Sequence, residues 1–445
     1  MPSQAAKTAV RGADGEQMIS RRRVLVFASV SLVFALAALA CSNGEEAAGD
    51  PEPIAAAATS TVQPASGAPP GTVTAEGQPR ASLAPTGSGR VGDEPLAPEL
   101  VGLKGWANAE PFTLQSQIGK VVLIDFWTYT CINCIRTLPY LREWHEKYAD
   151  RGLVILGVHA PEFEFEKVRE NVLDAMETHG IEYAVAQDND METWRAFRNR
   201  FWPAKYLIDK DGYIRYTHFG EGSYDETEAK IRELLMETGE DVRDISPNTS
   251  PEPRVAAEAR TSDPEQGRTR ELYAGYSRNY SGLGGGPPPY VLHEEYYRKT
   301  DAKILYEDPG GHQNHFMYLN GLWLNTEESL VHARETGDYE DHIALKFFAT
   351  SVNAVMAPAG ADSFRLRVEL DGQPLIPDQA GPDVMFANDG ESYIIVDEAR
   401  MYTIVNTATF QEHELTLSSN SPAFSLFAFT FGSYEGGEPI YEPNP

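Results

Sequence analysis

The sequence predicts an α/β domain with a mixed central sheet, followed by an all-β sandwich. Between residues 121 and 237, apolar runs of strand length alternate with segments of helical period, which indicates strands joined by helical crossovers. Beyond residue 270 the period changes: residues 364–370 alternate strictly between apolar and charged side chains, and further short strands follow between turn residues. A chain of 445 residues is long enough for both domains.

The first 40 residues have the pattern of an export signal. Ser20 precedes three arginines, and an apolar run then extends to Ala40, beside Cys41. Basic residues, a short apolar core and a boundary of small residues predict a signal peptide over residues 1–40, and the paired arginines resemble a twin-arginine signal. Residues 38–41 resemble a bacterial lipobox, which implies lipidation of Cys41 and an extracytoplasmic, lipid-anchored location in the cell envelope. An uncleaved membrane anchor is the alternative, because the apolar run approaches the length of a span.

Residues 41–98 are predicted to form a disordered linker. They are mainly Ala, Pro, Gly, Ser and Thr, and few large apolar side chains occur among them. Such a stretch buries too little surface to offset the entropy of ordering it. On a lipid anchor, it would let the domain that follows reach partners away from the membrane surface.

The α/β domain is predicted over residues 99–240. Gly180 ends one helix as a C-terminal cap, and Asp211-Gly212 predicts a tight hairpin near the end of the domain. The predicted strands are residues 121–126, 153–158, 183–186, 205–208 and 213–219. The predicted helices are residues 132–148, 163–179, 193–200 and 226–237.

A Cys-x-x-Cys pair, Cys131 and Cys134, lies where the first of these strands gives way to a helix. Unpaired amides and the dipole at a helix N-terminus favour the thiolate, so we expect a lowered pKa for Cys131. A fall of about 1.5 pKa units, roughly 2 kcal/mol, would leave it about half ionised near neutral pH. Cys134, one turn further on, is then placed to resolve a mixed disulfide.

The same pair has two alternative interpretations, a zinc site and a static disulfide. The chain contains only three cysteines, and no closely spaced histidine pair follows at the usual interval, so a zinc site lacks two ligands. We therefore predict no metal at this pair and no cofactor. The static disulfide stays open as the second alternative.

Residues 121–139 resemble the thioredoxin superfamily. The motif WTYTCINC within them is most similar to the extracytoplasmic redoxins of the TlpA and DipZ type. Asp125 stands where that family keeps a buried acid beneath the second cysteine, Trp127 where it keeps an aromatic residue, and Pro139 where it kinks the helix. The resemblance therefore implies a thioredoxin fold with Cys131, Cys134 and Asp125 as catalytic residues.

Trp202-Pro203 precedes a predicted strand and matches the cis-proline loop of that family, although Trp replaces the more usual Thr or Val. The resemblance implies that Trp127, Trp202 and Pro203 contact the substrate. Asp125 ends a buried strand, where desolvation should raise its pKa and suit it to accept the Cys134 proton. A hydrogen-bonded structural aspartate is the alternative.

Two polar residues after the second strand, His159 and Glu162, are expected to lie at the surface. Coupling of the two side chains to the cysteine site is the alternative, so neither is assigned a catalytic role.

The chain after residue 240 is predicted to contain a linker, residues 241–270, and a β-sandwich, residues 271–445. The resemblance to DipZ extends here and implies a sandwich of the carbohydrate-binding-module type. Core packing is the expected role of its aromatic residues, with a glycan ligand as the alternative. His312 and His315 have a spacing that suits a metal, but hydrogen bonding within a loop is the preferred interpretation. The aromatic candidates are Tyr276, Tyr280, Tyr290, Tyr296, Tyr297 and Trp323.

The formal net charge of −29 argues against nucleic acid and against electrostatic adhesion to anionic lipid. The expected function is a membrane-tethered thiol-disulfide oxidoreductase, acting as a reductase or isomerase on exported proteins that contain disulfides or thiols. The resemblance implies that a membrane electron donor of the CcdA/DsbD-like kind supplies it. The alternatives are a thiol peroxidase, because Thr128 precedes Cys131 by three residues, and a glycan- or partner-binding lipoprotein with a vestigial redoxin domain.

Overall fold

A computed structural model describes residues 94–248, 252–279, 289–360 and 363–439, all within one compact unit. The predicted signal peptide, Cys41, Tyr280 and nearly all of the N-terminal linker lie outside the described residues. Within the described ranges, the helices are all too short or too polar to cross a lipid bilayer.

The first sheet has six strands in the order β1-β4-β3-β2-β5-β6. The strand β2 is central and buried along its whole length, and it pairs in parallel with β3 and antiparallel with β5. The predicted mixed sheet is therefore confirmed, with β1 as a strand that the sequence analysis missed. The strands are β1 (Lys104–Ala107), β2 (Val121–Trp127), β3 (Leu153–His159), β4 (Ala184–Gln187), β5 (Ala204–Ile208) and β6 (Ile214–Phe219).

Among the described residues, five α-helices flank this sheet. The helix predicted over residues 193–200 ends at Ala196, and two longer predicted helices are interrupted. The helix expected over residues 132–148 is divided at Thr137, because Pro139 has no amide hydrogen and is tolerated only in the first turn of a new helix. The helix expected over residues 163–179 begins as a 3₁₀ turn, and extended Val168 separates it from the α-helix. The helices are α1 (Ile132–Ile135), α2 (Leu138–Tyr148), α3 (Arg169–Thr178), α4 (Glu192–Ala196) and α5 (Tyr224–Thr238).

The second sheet has eleven strands and forms the predicted β-sandwich. It begins with β7 (Leu272–Tyr273), β8 (Ala302–Tyr306), β9 (Phe316–Asn325), β10 (Leu330–His332), β11 (His342–Pro358) and β12 (Phe364–Leu370). It continues with β13 (Gln373–Pro374), β14 (Met385–Phe386), β15 (Ser392–Val396), β16 (Arg400–Ser419) and β17 (Phe424–Gly432).

Two long strands, β11 and β16, pair with each other along nearly their whole length and lie at the centre of the second sheet. The second half of β11 also pairs with β17, and the second half of β16 also pairs with β12. The register of β11 against β16 shifts between Ala349 and Ser351, and again between Val352 and Asn353, as at a β-bulge. Residues 402–405 and 414–417 each have the pattern of a short strand in the sequence, but both belong to the single strand β16.

The two sheets contact each other beside the start of α1. Phe163 and Phe165, from the loop after β3, pack on Phe427 of β17 with ring centroids 5.3 and 4.9 Å away. The Tyr129 hydroxyl donates a hydrogen bond of 3.3 Å to the carbonyl of Ala399. The C-terminal sheet is therefore packed directly against the segment that carries the two cysteines.

A buried guanidinium joins the two sheets at the end of α1. Arg136 donates two hydrogen bonds of 2.6 and 2.5 Å to the Glu438 carboxylate, and it also pairs with Glu221 at 3.4 Å. Its guanidinium carbon lies 4.8 Å from the centre of the Tyr434 ring. The approach requires a glycine at position 432, because a Cβ on Gly432 would lie 2.7 Å from Glu438 Oε2. Two carboxylates and an aromatic face thus compensate the burial of this charge.

Substitution of Arg136 with Met should destabilise the protein. The Glu438 carboxylate would remain buried without its bidentate partner, so we expect the free energy of unfolding to fall by about 3–5 kcal/mol. Urea unfolding of the full chain measures this. Arg243→Met is the matched control, because the ion pair of Arg243 with Asp241 is exposed, and its midpoint should equal that of the wild type. A midpoint for Arg136→Met equal to that of the control would contradict the assigned role.

Candidate functional site

The two cysteines occupy one turn at the N-terminus of α1. Cys131 is the N-cap residue and is partly exposed, whereas Cys134 is buried. The Cys134 amide donates to the Cys131 sulfur at 3.4 Å, and both thiols are free. Burial raises the pKa of Cys134 well above its ordinary value. The Cys131 sulfur is thus accessible and the Cys134 sulfur is protected. Stepwise disulfide exchange needs this arrangement, because one sulfur attacks first and the other resolves the mixed disulfide.

A cavity of about 290 Å³ opens in front of Cys131. Both sheets line it: Trp202 belongs to the loop before β5, whereas Tyr273 and Thr430 belong to the C-terminal strands β7 and β17. The reactive position is therefore enclosed jointly by the two parts of the chain, which no pattern in the sequence indicates.

Two carboxylates, Glu162 and Glu271, line this cavity. The Tyr273 hydroxyl lies 2.9 Å from an oxygen of Glu162 and 3.1 Å from an oxygen of Glu271, and Arg278 forms an ion pair with Glu162. Glu162 thus contributes to the site from the first sheet, and its predicted surface position is wrong.

The predicted fall in the pKa of Cys131 is also wrong. The Cys134 thiol hydrogen-bonds to the Cys131 sulfur and lowers the pKa, but burial and the charges of Glu271 and Glu162 outweigh this effect, so the net pKa is raised. The helix that follows has only four residues and supplies little dipole, whereas the two carboxylates arrive from distant parts of the chain.

A buried acid and a buried base lie behind the cysteines. Asp125 pairs with Lys205 across β2 and β5, and the Asp125 Oδ1 to Lys205 Nζ distance is 3.9 Å. Among the described residues, neither side chain has a hydrogen-bond partner. Burial raises the pKa of Asp125 to about 7, which is the predicted direction, although the charge of Lys205 opposes this shift. Burial also lowers the pKa of Lys205. The sequence analysis missed Lys205, although a lysine within an apolar strand is itself a signal.

Two further polar side chains near the site are buried. His159 is fully buried, so its predicted surface position is wrong. Burial lowers the pKa of His159 to about 3, and the His159 Nε2 lies 3.4 Å from the Thr128 hydroxyl. Glu166 accepts a hydrogen bond of 2.5 Å from the Thr130 hydroxyl, and burial raises its pKa to about 7. Glu166 fixes the residue that precedes Cys131, and the sequence analysis did not identify it.

The predicted substrate-contact residues divide into two groups. Trp202 lines the Cys131 cavity, its peptide bond to Pro203 is cis, and its indole nitrogen donates to the Ala160 carbonyl at 2.9 Å. Pro203 itself is buried, and its carbonyl accepts from the amide of Gly220. Trp127 is fully buried in the core of the first sheet, so a direct substrate contact by Trp127 is corrected to a packing role.

The candidate residues of the C-terminal part have structural partners. His312 lies between Asp308 and Glu414, at 2.8 and 3.2 Å, and His315 contacts the Thr269 hydroxyl at 2.8 Å. Within the described ranges, no group of side chains is arranged to hold a metal ion. The described aromatic candidates belong to the sandwich core or pack against it, so they do not form an open platform for a sugar. They are Tyr276, Tyr290, Tyr296, Tyr297 and Trp323.

Comparison with known families gives two separate matches. Residues 96–217 match the model of the AhpC/TSA family, and residues 269–432 match the model described as the thioredoxin like C-terminal domain. The two matched ranges contain the six-stranded sheet and the β-sandwich respectively, apart from the last two residues of β6.

Known relatives cover different shares of this chain. The protein DipZ of Mycobacterium bovis is 36% identical over 290 residues, which are 64% of this chain but only 38% of DipZ. The thiol-disulfide oxidoreductase YkuV of Bacillus subtilis is 33% identical over 142 residues, which are 32% of this chain and 95% of YkuV. A solved thioredoxin-like protein in the oxidised form is 31% identical, with a TM-score of 0.30, and the match covers 32% of this chain and 97% of that structure.

The mixed sheet, the Cys-x-x-Cys turn and the neighbouring cis-proline define a protein of the thioredoxin-fold class. The chain covers nearly the whole of a relative that is 33% identical to it, and that relative is a thiol-disulfide oxidoreductase. The chain therefore belongs to the thioredoxin-like family of thiol-disulfide oxidoreductases.

Removal of the two cavity carboxylates should lower the pKa of Cys131. In the double variant Glu162→Gln/Glu271→Gln, the negative charges that oppose the thiolate are gone, so the pH midpoint of Cys131 alkylation should shift downwards. Alkylation rates measured against pH, in the full chain with Cys134→Ser, report this midpoint. Glu164→Gln is the matched control, because Glu164 belongs to the same loop but is exposed and does not line the cavity. A midpoint that stays at the control value would show that the carboxylates do not set the reactivity.

Proposed function

We propose that the protein is an extracytoplasmic, membrane-tethered thiol-disulfide oxidoreductase that reduces disulfides in exported proteins. The observation that carries the proposal is the pairing of a partly exposed Cys131 with a buried Cys134 and, behind them, a buried Asp125 whose pKa is about 7. The Cys131 cavity gives a substrate disulfide access to one sulfur at a time.

The first step is attack by Cys131. The thiol loses its proton to solvent, and the thiolate attacks one sulfur of the substrate disulfide. A bond forms between Cys131 and that sulfur, the substrate disulfide breaks, and the second substrate sulfur leaves as a thiolate that takes up a proton. Trp202, on the wall of the same cavity, is positioned to contact the substrate segment next to the attacked disulfide.

The second step is resolution by Cys134. Asp125 accepts the Cys134 proton, and the Cys134 thiolate attacks the Cys131 sulfur, which releases the substrate sulfur as a thiolate that takes up a proton from Asp125 or solvent. The Cys131–Cys134 pair is then oxidised by two electrons and the substrate disulfide is reduced to two thiols. Lys205 favours the ionised form of Asp125 and so keeps the proton acceptor deprotonated before the transfer. A membrane electron donor of the CcdA/DsbD-like kind would return the pair to the dithiol.

The carboxylates at Cys131 support the direction of reduction. Couples become oxidising when the reduced form is stabilised as a thiolate, as in strongly oxidising members of the superfamily. Here Glu271 and Glu162 oppose the thiolate, so that stabilisation is lacking. A thiolate of higher pKa is also the stronger nucleophile and the poorer leaving group, which favours formation of the internal disulfide.

The proposed location depends on the N-terminal sequence. The twin-arginine-like signal and the lipobox-like residues 38–41 support export and lipidation of Cys41, and residues 41–98 would serve as the tether.

A thiol peroxidase is the second candidate, because residues 96–217 match the AhpC/TSA family model. The motif of that activity begins with a proline, and Ile124 stands at the corresponding position. The Thr128 hydroxyl lies beside His159, with which it shares a 3.4 Å contact. Stopped-flow mixing with hydrogen peroxide distinguishes the two: a fast loss of the Cys131 thiol would favour the peroxidase, and a slow loss would favour disulfide exchange.

Substitution of the two cysteines should separate the two steps. Cys131→Ser should abolish reduction of a protein disulfide, because the attacking sulfur is lost, whereas Cys134→Ser should accumulate a mixed disulfide through Cys131 that mass spectrometry detects. Cys41→Ser is the matched control, and it should retain exchange while it loses membrane association. Retention of exchange by Cys131→Ser would refute the proposal.

Substitution of Asp125 should slow resolution and change its pH dependence. The pKa of Asp125 is about 7, so the carboxylate that accepts the proton is present above that pH, and the wild-type rate should rise as the pH passes through 7. In Asp125→Asn we expect a loss of about 10²-fold in single-turnover resolution, together with loss of the inflection near pH 7. The exposed Asp211→Asn serves as control. An inflection that persists in Asp125→Asn would assign it to another group.

A further inference from the structure

A second and larger cavity lies beside the same turn of the chain. Its volume is about 680 Å³, which is within the range of sites that enclose ligands. Residues along the turn alternate between the two cavities: Cys131 and Asn133 line the smaller one, whereas Tyr129, Ile132 and Ile135 line the larger. We call the larger cavity the junction cleft. Helix α3, which flanks the first sheet, lines one side, and residues between β15 and β16 and at the start of β16 line the other.

The interior of the junction cleft is largely apolar. Ile132 and Ile135 come from the catalytic turn, Ala175 from α3, and Ala399 and Met401 from the segment that begins β16. The charged groups beside them are already paired: Arg136 with Glu438 at 2.5 Å, and Arg400 with Asp383 at 2.9 Å. An occupant would therefore meet a surface that is mainly apolar, with uncharged polar side chains such as Asn171, Thr178 and Asn406 and, among the described residues, no unpaired arginine.

The rim of the junction cleft is acidic. Asp174 on α3 and the adjacent Asp397 and Glu398 before β16 are exposed and line its edge. In the part of the chain that the structure describes, no lysine, arginine or histidine nitrogen lies within 4.0 Å of these three carboxylates. They are free to attract a positively charged group at the mouth of an apolar cleft, and the net charge of −29 has the same sign.

We propose that the junction cleft binds an apolar segment with flanking basic residues in the protein whose disulfide is reduced at Cys131. The inference rests on the proposed function and adds the class of substrate that the site selects. The volume accommodates several side chains of an extended segment, the apolar interior favours their burial, and the acidic rim favours lysine or arginine on either side.

The position of the cleft connects binding to catalysis. Tyr129 and Ile132 line the cleft, whereas Cys131, between them in sequence, lines the smaller cavity, so a segment in the cleft and a disulfide in front of Cys131 lie on two sides of the same turn. Binding energy from a segment that does not react lowers the barrier by placing the disulfide against Cys131. Such a site distinguishes protein disulfides from small disulfides, which do not reach it.

Two peptide disulfides and one small disulfide test this inference in the full chain. The first peptide has an apolar stretch of about four residues flanked by lysines, and its cysteine is disulfide-linked to a chromophoric thiol. The second peptide has glutamates in place of the lysines. The small disulfide carries the same chromophoric thiol on cysteine alone. We expect the wild type to prefer the lysine peptide over the glutamate peptide by about tenfold in kcat/KM.

Variants on each wall locate the effect. The large side chain in Ala399→Trp should fill the cleft. We compare kcat/KM for the lysine peptide with kcat/KM for the small disulfide, and we expect this ratio to fall about tenfold in the variant. The fall should come from a higher KM for the lysine peptide. The pair Asp174→Lys/Glu398→Lys should reverse the preference for lysine over glutamate. Ala257→Trp and Glu258→Lys are the matched controls, because both residues are exposed in one short turn outside both cavities, and neither should alter the ratios.

The outcomes separate this inference from the proposed function. If the wild type reduces none of the three disulfides, the proposed function fails. If the wild type reduces the small disulfide but shows no preference between the two peptides, only the inference about the cleft is overturned. The same holds if Glu258→Lys changes the preference as much as the rim variants do. The residues after Pro439 are the competing occupant, because Pro439 lines the cleft. If a chain ending at Pro439 gains a preference that the full chain lacks, the cleft belongs to residues 440–445.

Discussion

The buried ion pair between Arg136 and Glu438 is the constraint on which the arrangement of the site depends. It joins the end of α1 to the last described residues of the C-terminal sheet, and Ser351 adds a hydrogen bond of 2.8 Å to the same carboxylate. A buried guanidinium is costly unless its hydrogen bonds are satisfied, so the first sheet needs the second to complete its own catalytic turn. The β-sandwich is therefore part of the site and not an appended module.

This constraint determines the chemistry of Cys131. With the second sheet packed against α1, Tyr273 of β7 and the preceding Glu271 close the cavity in front of the sulfur, and Arg278 holds Glu162 there by an ion pair. The carboxylates raise the pKa of Cys131, so the C-terminal sheet influences the electrostatics of a cysteine that belongs to the first part of the chain.

Much of the fold was predictable because its signals are local. The strands β2, β3, β5 and β6 are read from short apolar runs, and the strand Phe364–Leu370 was predicted to the residue from its strict alternation. The errors also have local causes. The helices at residues 132–148 and 163–179 are interrupted where Pro139 and Val168 leave the helical hydrogen-bond pattern, and β16 was divided because its centre alternates less clearly.

By itself the sequence determined the cysteine pair and most of the alternation of strands and helices, because these signals depend on residues close together in the chain. The buried Asp125 and the cis peptide before Pro203 were predicted from the resemblance of short segments to the thioredoxin superfamily, and the structure agrees with both. Only the tertiary structure decided the sign of the Cys131 pKa shift, the pairing of Asp125 with Lys205 and the junction cleft. Glu271 is 140 positions from Cys131, and Glu438 is 302 positions from Arg136. Electrostatic energy and enclosure depend on distance in space, and a sequence pattern does not report which distant side chains will meet.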